Sequence, residues 1–90
     1  MIFYLQYDDS VSPKEINGKK IKKTVKSSFS KLPEEFVKVE MMIEHFDLYS
    51  VEINATGGAE TISCIIEDVN LNNAINKCIE GICRQFSCSV

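Results

Sequence analysis

The sequence predicts an α+β fold in the order β-α-β-β-β-α, a four-stranded, mostly antiparallel sheet with two helices packed on one face. Three patterns carry this. Apolar residues alternate with polar ones through three successive segments between residues 37 and 66, the period of half-buried strands. Two other stretches, around 19–32 and 71–86, place apolar residues at helical spacing. Four strands and two helices then bury every apolar side most economically with both helices on one sheet face. At 90 residues the chain holds one core, because a fold of this size buries only about 60 to 65% of the surface its unfolded chain exposes. Residues 1–90 are therefore expected to form one domain, with no cofactor and no deep cavity for a small-molecule substrate.

The first element, Ile2 to Tyr7, is rich in aromatic and β-branched residues and closes on Asp8-Asp9-Ser10, a strand ended by turn chemistry. Ser12-Pro13-Lys14-Glu15 has the form of a helix entry, with Ser12 as cap, Pro13 in the first helical position and Glu15 as capping-box partner. Gly18 weakens that first turn, so the main helix is expected from about Lys19 to Leu32, where Pro33 stops it. Val37, Val39, Met41 and Ile43 then alternate with Lys38, Glu40, Met42 and Glu44. His45-Phe46-Asp47 turns the chain into Tyr49, Val51, Ile53 and Ala55, and Gly57-Gly58 supplies a two-residue hairpin loop before Ile62, Cys64 and Ile66. The last helix starts near Asp68 or Asn70, both acceptable caps, and runs along Leu71, Ala74, Ile75, Cys78, Ile79, Ile82 and Phe86. Gly81 costs it up to about 1 kcal/mol relative to alanine.

Charge is distributed unevenly. The net charge is −3, yet from Lys14 to Lys31 seven lysines face Glu15 alone, while from Glu34 to Glu80 ten acids face Lys38 and Lys77. At 100° per residue, Ile21, Val25, Ser28, Phe29 and Leu32 share an arc of about 100°, and Lys19, Lys22, Lys23 and Lys26 cluster on the other side. Like charges at helical i,i+4 spacing repel by a few tenths of a kcal/mol per pair, a cost that a polyanionic partner relieves. A solvated lysine face is the plainer account of the same pattern.

Little here supports catalysis. His45 is the sole histidine, beside a turn, with no orienting partner evident in the sequence. The carboxylate pairs Asp8-Asp9, Glu34-Glu35 and Glu67-Asp68 flank element ends, where acids start helices and solvate turns. Gly57-Gly58 lacks the lysine and the strand-to-helix setting of a phosphate loop. Cys78, Cys83 and Cys88 are spaced at five residues, which turns successive helical side chains by about 140°, so a metal site is not expected. Cys64 and Cys78 read as core thiols, and Cys88 as an exposed tail thiol.

A family resemblance enters through Gly57-Gly58-Ala59-Glu60-Thr61-Ile62-Ser63-Cys64, Glu67 to Lys77, and Arg84-Gln85-Phe86, together with Lys31-Leu32 and Phe36. With the element order, this resembles the bacterial ribosome hibernation-promoting factors, or ribosome-associated inhibitors, whose comparable segment is a Gly-Gly hairpin, a strand, an acidic turn, an Asp-x-Tyr-Ala-Ala-Ile-Asp helix start and a terminal Arg-Gln. The resemblance implies a cytoplasmic, non-enzymatic protein whose helices contact 16S ribosomal RNA in the channel of the small subunit, blocking translation by occupancy. The matching positions are Lys19, Lys22, Lys23 and Lys26 on the first helix and Lys77 and Arg84 on the second. The chain departs from the family at Asn72 for tyrosine, Asn76 for aspartate and Gly81 for lysine, and has Ser87-Cys88-Ser89-Val90 where the family has a basic tail.

A competing expectation comes from the sheet. If Val39, Met41 and Ile43 face the helices, Met42 and Ile65 lie on the outer face, with either Ile2 and Tyr4 or Phe3 and Leu5. A contiguous apolar patch there would suit a homodimer or a protein partner. No membrane partner is expected, since no apolar run approaches the roughly 20 residues of a spanning helix, and the acidic turn after Tyr7 with no basic segment before it argues against a secretory signal.

Overall fold

The structure is a computed structural model that describes residues 1–32, 36–58 and 60–88, with side chains to residue 85. Strand β1 (Ile2–Tyr7) leads through a 3-10 turn (Pro13–Glu15) to helix α1 (Gly18–Phe29). Strands β2 (Lys38–His45), β3 (Tyr49–Gly57) and β4 (Glu60–Asp68) follow, and helix α2 (Leu71–Cys88) closes the order. The sheet runs β1-β2-β3-β4, with β1 and β2 parallel and the other two pairs antiparallel. A parallel pair cannot be joined by a hairpin, and α1 is the crossover that joins it.

Alternation places Val39, Met41 and Ile43 of β2 and Val51, Ile53 and Ala55 of β3 on one face, all buried. Against them lie Ile21, Val25 and Phe29 of α1 and Ala74, Ile75, Cys78, Ile79 and Ile82 of α2, in one continuous cluster. The edge strands supply Phe3, Leu5, Ile62, Cys64 and Ile66, which pack against this cluster and are partly buried. Phe29 and Phe36 meet edge to face at 5.1 Å between centroids, a geometry worth about 0.5 to 1.5 kcal/mol beyond the area it buries.

Four boundaries differ from the sequence expectation. The Ser12 capping box forms, with the Ser12 amide donating to Glu15 Oε2 at 3.2 Å, but it closes a separate 3-10 turn. The extended backbone of Ile16, whose side chain packs on the core, breaks the run. Asn17 then caps α1 by accepting from the Lys20 amide at 3.1 Å. The helix ends at Phe29 rather than Leu32, and Pro33 lies outside the described residues. In the hairpin, Gly57 remains in β3 paired with Glu60, and among the described residues the positive φ of +59° falls on Gly58 alone. Asn70, rather than Asp68, caps α2, accepting from the Asn73 amide at 3.0 Å. Val11, unremarked in the sequence, is 2% exposed, whereas Val37 precedes β2 and is 63% exposed.

The thiols follow the core reading where the structure describes them. Cys78 donates to the Cys64 carbonyl at 3.1 Å, and burial, aided by neighbouring Cys64, pushes its pKa up to about 12. Burial also raises that of Cys83. The Cys88 side chain lies outside the described residues.

At Gly81, α2 approaches β4 closely: a Cβ there would stand 2.5 Å from Cys64 Sγ but 3.6 Å from its Cβ. Gly81→Ala is therefore expected to destabilise the protein by about 1 to 2 kcal/mol as an overpacked contact. In a Cys64→Ala background the same change should stabilise, by up to about 1 kcal/mol of helix propensity. Urea unfolding of the four proteins measures both signs.

Candidate nucleic-acid interface

Because Ile21, Val25 and Phe29 are committed to the core, the opposite side of α1 must face water. Lys19, Lys22, Lys23 and Lys26 are all exposed there, and with Ser27 they line one shallow depression. The helix carries no acidic residue, and none of these four ammonium groups has an ion pair among the described residues. Lys20 stands apart from them, turned toward α2 in a groove with Thr24, Asn72 and Asn76.

The two cations expected on α2 have different surroundings. Lys77 donates to Asp68 Oδ2 at 2.7 Å, and Arg84 lies 3.8 Å from Glu80, one turn back. The Lys77 bond, with help from the Asn70 amide, holds the Asp68 carboxyl below its ordinary 3.8. The structure thus gathers the four α1 lysines into one patch and leaves Lys77 and Arg84 beside carboxylates on a second helix. Lys20 and Thr24 were not singled out from the sequence as site residues, and Asn72 and Asn76 entered only as departures from the family pattern. Their i,i+4 spacings were visible there, but only the packing of α1 on α2 brings the two pairs together.

The outer face of the sheet settles the alternation in favour of Ile2 and Tyr4, since Phe3 and Leu5 point to the core. Ile2, Tyr4, Met42 and Ile65 are exposed, but the register sets Glu52 between Met42 and Ile65 and Glu40 beside Tyr4. Glu44 and Glu67 extend the acidic character, and Lys38 is paired to Glu40 at 3.3 Å.

At one end of the sheet, His45 does have a partner, stacked on Tyr49 with centroids 3.8 Å apart. Tyr49 donates to Glu15 Oε1 at 2.5 Å, tying the 3-10 turn to the start of β3. Ser10 donates to Asp8 Oδ1 and accepts from the His45 backbone amide at 3.0 Å, so its hydroxyl meets the main chain and not the imidazole. This constellation latches loops and forms no nucleophile-base pair.

No protein-family model matches the chain, and no curated protein matches it. Solved structures do. The architecture defines a class of βαβββα domains with both helices on one face, the hibernation-factor-like fold that the sequence motifs had suggested. Within that class the chain is similar to the N-terminal domain of Protein Y from Thermus thermophilus, at 13% identity and a TM-score of 0.79 over 100% of both chains. It is similar as well to a ribosomal subunit interface protein from Coxiella burnetii, at 12% identity and a TM-score of 0.75, covering 99% of this chain and 97% of that one. Among the described residues, no helix is long and apolar enough to cross a membrane.

The Tyr49 hydroxyl is the main reason the Glu15 carboxyl lies below its ordinary 4.5, and the same bond raises the Tyr49 phenol. Tyr49→Phe should bring the Glu15 carboxyl back toward 4.5, read by NMR titration of its side-chain carbon. Glu15 and Asp68 are both lowered in the fold. The stability they add is therefore full above their unfolded values and is lost as pH falls through the lower folded ones. Thermal melts should hold steady down to about pH 5 and fall below about pH 4.

Proposed function

We propose that this protein is a non-enzymatic, cytoplasmic ribosome-binding factor, acting over residues 1–90 as one domain. It occupies the small-subunit channel through contacts with 16S ribosomal RNA and so inhibits translation. The observation that carries the reading is the α1 lysine patch: four exposed ammonium groups on one helix face, none paired among the described residues. The neighbouring structures support it, since one is described as a ribosomal subunit interface protein and has the same fold over nearly its whole length. Chemically, Lys19, Lys22, Lys23 and Lys26 neutralise phosphates along an RNA backbone, whose deep, narrow major groove keeps base edges from side chains. Lys77 and Arg84 add to this from α2, but Lys77 must first release Asp68, which makes its contribution smaller.

The reading is tested by co-sedimentation with ribosomes and with isolated small subunits. Four phosphate contacts at a slope of about −0.7 to −0.9 each predict a loss of roughly 50- to 150-fold in affinity between about 50 and 200 mM salt. Lys22→Glu with Lys23→Glu should abolish binding at about 50 mM salt and leave the circular dichroism spectrum unchanged, because both residues are exposed. Retained binding in the double variant would remove the patch from the site. A homodimer through Ile2, Tyr4, Met42 and Ile65 is the competing reading, and a molecular mass that rises with protein concentration would favour it.

A further inference from the structure

We infer that the groove between α1 and α2 is a ribose-phosphate subsite that makes this surface selective for RNA over DNA. The inference rests on the nucleic-acid reading of the α1 lysines and deepens it. The groove measures about 240 Å³ and is lined by Lys20, Ile21, Thr24, Asn72, Ile75 and Asn76. That is the space of roughly eight waters, the scale of one sugar and its phosphate.

Its floor is apolar and fixed, since Ile21 and Ile75 are 7% and 4% exposed and belong to the core. Its walls are polar: Lys20 and Thr24 one turn apart on α1, Asn72 and Asn76 one turn apart on α2. The Thr24 hydroxyl spends its proton on the Lys20 carbonyl at 2.9 Å and so turns lone pairs outward. The Lys20 ammonium and both asparagine amides have no hydrogen-bond or ion-pair partner among the described residues.

The donor set selects the ligand. An ammonium offers only donors and calls for an anion, while each asparagine amide offers an NH2 donor as well as a carbonyl, and the two carbonyls and the threonine oxygen call for a donor in return. A bare phosphate satisfies Lys20 and leaves those acceptors idle. A ribose 2′-hydroxyl, at once donor and acceptor, gives its one proton to one of these oxygens and accepts from an amide NH2, with the adjoining phosphate on Lys20, and this hydroxyl is what separates RNA from DNA. Since Lys19, Lys22, Lys23 and Lys26 lie on the same helix, a strand seated in the groove continues onto the patch.

The test compares binding of an RNA hairpin with binding of the same hairpin carrying 2′-fluoro sugars, which keep A-form geometry and remove the hydroxyl proton. The native protein should prefer the hydroxylated hairpin by about three- to tenfold, the value of one or two net hydrogen bonds. Asn72→Ala with Asn76→Ala, exposed positions where alanine favours the helix, should bring the ratio close to one by lowering affinity for the hydroxylated hairpin more than for the 2′-fluoro one. Lys22→Glu with Lys23→Glu should weaken both ligands alike. Equal affinity of the native protein for the two hairpins, or a preference that survives the asparagine double variant, overturns the subsite while the lysine patch stands. Ribose 5-phosphate binding as tightly as the RNA overturns the assignment to a polymer. Binding to neither hairpin overturns both readings.

Discussion

The structure depends on one constraint: the central strands β2 and β3 bury one face completely and leave the other to water. With Val39, Met41, Ile43, Val51, Ile53 and Ala55 all on that face, both helices must cover it, because no other surface can exclude water from so much apolar area. Everything about the candidate interface follows from that packing. Once α1 turns Ile21, Val25 and Phe29 inward, its lysines have only the solvent side to occupy. Once α2 lies beside it, Lys20 and Thr24 must face Asn72 and Asn76.

The same layering reconciles an acidic protein with a basic site. The lysines sit on the outer side of a helix about 10 Å across, and Glu40, Glu44, Glu52 and Glu67 sit on the far side of the sheet beneath it. At physiological salt, exposed charges farther apart than about 8 Å are largely screened from one another. A phosphate approaching α1 therefore meets the local field of the lysines and little of the net charge of −3. On α2 the situation differs, since Asp68 lies in direct contact with Lys77 and offsets it at short range.

Two contacts hold the helices and loops where this surface needs them. The absence of a side chain at Gly81 lets α2 settle against Cys64, whose Sγ a larger residue would meet. The Tyr49 hydroxyl on Glu15 ties the segment that enters α1 to the sheet. It also occupies the one acid that lies near the lysines in sequence, so Glu15 is committed to the loop latch and to its own capping box.

The sequence by itself determined the element order, the sheet face that is buried, the helix stripes and the lysine arc, because each is a periodicity of 2 or 3.6 read within one segment. It reached Ser12 as a cap, and Asn70 as one of two candidates beside Asp68, for the same reason: capping acts over three residues. It could not place the break at Ile16, which is extended because its side chain packs on a core built from distant segments. Nor could it show that Lys77 is tied to Asp68, that His45 stacks on Tyr49, that Glu52 interrupts the outer apolar patch, or that two asparagines face Lys20. Those are contacts between residues brought together by strand register and helix packing, and only the tertiary structure decides which side chains share a surface.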